Sequence, residues 1–67
     1  MYLMKIKGSG KIPDYLQIRD DNYTLIAYFR ADRLKQGLTK YKMTKYLEAI
    51  SDCMDEMEFG EMKYLEN

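Results

Sequence analysis

The chain has no histidine and no tryptophan, and only one cysteine and one proline in 67 residues. Each shortage closes a route. Without histidine, the commonest general base is missing, and with it the one side chain that ordinarily titrates near neutrality. With Cys53 alone, no disulfide can form within the chain. One cysteine and no histidine also leave a structural zinc site without its usual ligands. No apolar run approaches the roughly 20 residues that span a bilayer. Met1 to Ile12 lacks the apolar stretch of a signal peptide, and the single cysteine points to a reducing compartment. We expect a soluble, cytoplasmic protein.

At this length the chain is one small domain, residues 1–67. Such a domain buries only about 60% of the surface its unfolded chain exposes. With disulfides and metal set aside, self-association or docking on a partner is the remaining aid to stability, unless the monomer is unusually well packed.

Groups for catalysis are few. The nucleophiles are Cys53, Ser9, Ser51 and three threonines. Cys53 stands among Asp52, Asp55 and Glu56, whose negative charge disfavours a thiolate. Gly8-Ser9-Gly10-Lys11 looks briefly like a phosphate-binding loop. It has Lys5 where that motif needs its first glycine, and Ile12 where it needs Ser or Thr. A hairpin turn is the simpler reading. Asp52, Asp55, Glu56, Glu58 and Glu61 do not have the alternating spacing of a calcium loop. We expect no catalytic, cofactor or metal residues, and no enzyme.

What the chain does have is charge separated along its length. Residues 1–45 carry ten Lys and Arg against four Asp and Glu, and residues 46–67 carry one against seven. The zero net charge therefore hides a surplus of six on each side. The break falls inside a predicted helix, with Lys40, Lys42 and Lys45 near its start and Asp52, Asp55, Glu56 and Glu58 near its end. That order opposes the helix macrodipole. It is explained either by an interface or by basic groups of the same chain lying against the acidic end. Seven tyrosines and six methionines suit an adaptable contact surface; they also serve to fill a core that has no tryptophan.

Alternation predicts a strand over Tyr2–Lys7, with Tyr2, Met4 and Ile6 on one face and Leu3, Lys5 and Lys7 on a largely solvated one. Gly8-Ser9-Gly10 is a turn. Tyr15–Arg19 is a second strand, with Leu16 and Ile18 on a shared face. Asp20-Asp21-Asn22 is a turn of residues that bond their own backbone. Tyr23–Phe29, with Tyr23, Leu25, Ala27 and Phe29 on the face expected to meet the helix seam and Ile26 and Tyr28 on the other, is apolar on both faces and reads as the central strand. Ala31–Leu38 reads as a short helical turn, with Asp32 as N-cap and Gly37 just past its end. The main helix starts at Thr39 or Thr44 and ends at Gly60. Met43, Leu47, Ile50, Met54 and Met57 form its apolar seam. Residues 61–65 are a short edge strand or a frayed tail.

The expected fold is α+β: a three-stranded antiparallel meander packed by one C-terminal amphipathic helix, with a short fourth strand as an option. One helix cannot cover both faces of the sheet, so Ile26 and Tyr28 are expected to lie uncovered. The expected function is a small non-enzymatic protein-binding module (a regulator, adaptor or accessory subunit) that self-associates. Tyr15, Ile26 and Tyr28 would form the apolar-aromatic contact. Asp52, Asp55, Glu56 and Glu58 would steer a basic partner. The alternative is single-stranded nucleic-acid binding through Lys5, Lys7, Arg19, Arg30 and Arg33, with tyrosines stacking on bases. No membrane or metal partner is expected.

Overall fold

The computed structural model describes residues 1–66. Four strands form one antiparallel sheet: β1 (Tyr2–Ile6), β2 (Tyr15–Arg19), β3 (Leu25–Arg30) and β4 (Met62–Tyr64). Two helices, α1 (Leu34–Lys40) and α2 (Leu47–Glu56), lie between β3 and β4, each preceded by a single 3-10 turn. The fold is α+β, with the expected meander over β1–β2–β3. The fourth strand is present and pairs with β1, giving the order β3-β2-β1-β4.

That order corrects the sequence reading in one respect. β3 is an edge strand, and β1 and β2 are central. The reason lies at the end of α2. The Lys5 ammonium donates to the carbonyls of Met54 and Met57 at 3.0 and 3.2 Å, and the Gly60 amide donates to the Lys5 carbonyl at 2.7 Å. These bonds hold the chain over β1, so residues 62–64 meet the free edge of β1.

The face of β1 is also the reverse of expectation. Leu3 is fully buried, opposite Ile18 of β2, and Lys5 lies opposite buried Leu16. The Leu3 face is therefore the covered one. Two lysines made it look solvated. Lys5 is tolerated there because its stem packs along the core while its ammonium reaches two carbonyls at the helix end, that of Met57 and that of Met54, which also accepts from the Met57 amide at 3.3 Å. A cation in that place also complements the negative end of the helix dipole.

The core sits between this face and the helices. Leu3, Leu16, Ile18, Ala27 and Phe29 meet Leu38, Met43, Ile50, Cys53 and Met57. The predicted seam holds at Met43, Ile50 and Met57, while Leu47 and Met54 are half-buried at its border. Among the described residues, no polar or charged one is buried.

The short helical turn predicted over Ala31–Leu38 is a helix, α1, that runs on to Lys40, and of the two predicted starts of the main helix the later one holds, since the 3-10 turn at Thr44–Tyr46 leads into α2. Met43 N donates to the Leu38 carbonyl and Lys42 N to the Thr39 carbonyl, a Schellman closure with Lys42 left-handed at φ 59°. Glycine usually holds that position, so no local signal marks the break. Gly37 is not past the helix end but inside α1, buried, where a Cβ would run into the Phe29 ring. Asp32 is not a helix cap; its carboxylate accepts from Arg30 Nε and Nη2 at 3.0 and 2.8 Å. α2 stops at Glu56, four residues before Gly60.

The break also dissolves most of the charge puzzle. Lys40 and Lys42 sit at the C-terminal end of α1, where cations are favoured. Asp55 and Glu56 remain in the last turn of α2, and Lys5 supplies the cation that turn lacks.

Candidate protein-contact face

Strand alternation places Tyr2, Met4 and Ile6 of β1 on the face opposite the helices, with Tyr15, Gln17 and Arg19 of β2. Register extends the surface in rows. Tyr64, Tyr2, Arg19 and Leu25 form one; Met62, Met4, Gln17 and Tyr28 form the next; Ile6, Tyr15 and Arg30 form the third. No helix lies on this side.

The sequence reading put Leu25 on the Ala27 and Phe29 face. The structure moves it. Ala27 pairs with Ile18 and Leu25 with Arg19, so the register skips Ile26. This bulge brings both Leu25 and Ile26 to the open side. They are 46% and 39% exposed, against 2% for Ala27.

Aromatic rings organise the surface. Tyr15 stacks on Tyr28 with centroids 4.9 Å apart. Tyr23, left-handed at φ 67° in the turn before β3, stacks on Tyr2 at 4.5 Å, and Tyr64 meets Tyr2 edge-on at 5.0 Å. That turn is built by Asp20, whose carboxylate accepts from the amides of Asn22 and Thr24 at 2.8 and 3.0 Å. The hydroxyls of Tyr2 and Tyr64 are both held above their ordinary value. Desolvation is the main cause in each; Tyr23 adds to it at Tyr2 and the Asp21 carboxylate at Tyr64. Arg19 lies along the face, donating to the Tyr23 carbonyl at 2.9 Å and to Gln17 Oε1 at 3.3 Å.

Of the residues expected at a contact, Tyr15, Ile26 and Tyr28 come together on this face. Asp52, Asp55, Glu56 and Glu58 do not join them. They are exposed on and just after α2, in the helical layer on the other side of the sheet. Tyr2, Met4, Ile6, Tyr23, Leu25, Met62 and Tyr64 lie on the same face and were not named with them in the sequence reading. The alternation of Tyr2, Met4 and Ile6 was visible in the sequence; what it lacked was any mark of which face the helices cover.

The five basic residues of the nucleic-acid reading do not converge. Arg19 and Arg30 are on the open side, and Arg30 is held by Asp32. The Lys5 and Lys7 ammoniums sit over the Phe59 ring at 4.7 and 5.9 Å, beside the end of α2. Arg33 is exposed in the turn before α1.

Elsewhere, a cleft of about 460 Å³ lies among Lys5, Asp14, Asp32, Asp55 and Phe59. Its carboxylates are partly engaged: Asp14 accepts from the Gly8 amide at 2.8 Å, and Asp32 holds Arg30, which keeps its carboxyl below the usual range. Among the described residues, no group of three His, Cys, Asp or Glu is placed to hold a metal ion. Burial pushes the Cys53 thiol up, and Glu56 and Glu61 add to it against the pull of Lys63. No helix of the described residues is long and apolar enough to cross a membrane. No protein-family model matches the chain, and no curated protein or solved structure matches it.

Proposed function

We propose that this chain is a non-enzymatic protein-binding module whose contact surface is the open face of its sheet. One observation carries the reading: a four-stranded sheet has helices on one face only, and the other face gathers five tyrosines with Met and Ile side chains around them. Exposed apolar surface of this extent marks an interaction site more often than not. Tyrosine and methionine suit it, being enriched in the cores of interfaces. The acidic residues of α2 lie in the helical layer, away from this face, and take no part in the contact. Single-strand binding is the weaker alternative, because Arg19 is the one basic residue of its set that lies among the tyrosines without an acidic partner.

The test is photo-crosslinking in the cell of origin, with a reactive side chain at position 28 in one variant and at position 52 in another. Protein adducts from position 28 and few from position 52 are expected. Adducts from position 52 alone, or nucleic acid captured at position 28, would refute the reading.

A further inference from the structure

We propose that the open face is covered by the same face of a second copy, sheet packed on sheet about a two-fold axis. This rests on the reading of that face as a protein-contact surface, and it names the occupant.

Area is the first argument. Exposed fractions of 38–53% at Tyr23, Leu25, Ile26, Tyr28, Met62 and Tyr64 amount to roughly 500 Å² per copy, taking about 200 Å² for a large side chain. Two copies then supply the roughly 1,000 Å² in total that a specific interface needs. The half-buried Tyr2, Met4, Ile6 and Tyr15 add to it.

Self-compatibility is the second. A two-fold contact sets a patch against itself, so a charge at its centre would meet its own kind. The centre of this sheet lies between β1 and β2, where Met4 pairs with Gln17. Neither is charged. Gln17 Oε1 accepts from Arg19 Nη2 within the chain and keeps a second lone pair, so with their amide N–H donors two Gln17 side chains can still bond reciprocally where two like charges would repel. Arg19 and Arg30 fall on the flanking rows.

The third argument is what the edges do. Sheets also join edge to edge, and both edges here are blunted. β3 has the bulge at Ile26, and the Tyr41 hydroxyl donates to the Tyr28 carbonyl at 3.3 Å. β4 is three residues long and carries Lys63. The face has no comparable guard. Two sheets packed through it would lie about 10 Å apart with strands about 30° from parallel.

The experiment is solution mass by light scattering, from low micromolar to millimolar chain, for the wild type and three variants at exposed or half-buried positions. Wild type and Glu56→Lys should reach twice the 8.0 kDa chain mass. Tyr28→Glu and Gln17→Glu should weaken the dimer about tenfold or more, with unchanged far-ultraviolet circular dichroism. A wild type that stays monomeric to millimolar overturns the second copy, while crosslinks from position 28 to another protein would still uphold the contact face. A dimer indifferent to Tyr28→Glu and Gln17→Glu, or lost equally in Glu56→Lys, overturns the proposal and counts against the face as well.

Discussion

On β1, Leu3 is fully buried while Tyr2 and Met4, one residue to either side, are only half-covered. The two faces of this sheet are built from similar side chains and differ in what lies over them. On the covered face, apolar residues of three strands meet two helices, Lys5 is tied to a helix end, and Lys63 of β4 lies half-buried opposite Leu3. On the open face, tyrosines stack on one another in pairs and leave one side of each pair to the solvent. A strand apolar on both faces therefore does not have to be a central strand. β3 is apolar on both faces because one side belongs to the core and the other to the open, tyrosine-rich face.

The sharpest way to break this comparison is to truncate neighbours on β1. Leu3→Ala should destabilise the monomer by about 2–5 kcal/mol, through lost burial and the cavity left behind. Met4→Ala should change monomer stability by less than about 1 kcal/mol. Urea denaturation of both variants in dilute solution checks it, and equal losses would mean the faces are wrongly assigned. Next is Lys5→Met, which keeps the apolar stem and removes the charge. With the ammonium gone from the Met57 carbonyl, and the Met54 carbonyl left with the Met57 amide alone, it should cost about 1–2 kcal/mol. A neutral result would reduce Lys5 to packing.

A smaller effect of opposite sign is expected at the turn between α1 and α2. Lys42→Gly should stabilise by about 1 kcal/mol, because glycine adopts the left-handed conformation without steric penalty. A higher Tm is the expected readout; a lower one would contradict the Schellman closure. The smallest effect belongs to the open face. Tyr2 and Tyr64 hold their protons above the ordinary value, mainly through desolvation. Their contribution to stability is therefore complete below the unfolded tyrosine value near 10 and is lost as pH rises through the higher folded values. Absorbance titration of Tyr2→Phe and Tyr64→Phe should each remove a late-ionising tyrosine.

Local chemistry was legible in the sequence. The Asp20 turn, the three strands of the meander and the seam from Met43 to Met57 all rest on spacing and on residues that bond their own backbone. Three other features were hidden, each for a physical reason. Alternation separates two faces but does not say which one is covered, and Lys5 disguised the answer. A bulge leaves no trace in the sequence, so Leu25 seemed to face the core. Lys42 occupies a left-handed position without being glycine, so the end of α1 was placed at Gly37 and the main helix was allowed to start as early as Thr39. Of the candidate site, Tyr15, Ile26 and Tyr28 were legible because uncovered apolar residues stood out on β2 and β3. The rest of the surface depends on β4 returning to β1, which the bonds between Lys5, α2 and Gly60 decide.

The central claim is that association runs through the apolar open face and not through the segregated charges. Light-scattering mass at low salt and at about 1 M salt, where the Debye length is about 3 Å, tests it directly. A dimer of the same strength in both is predicted. A dimer that dissolves as salt rises, or a monomer in both, would contradict it.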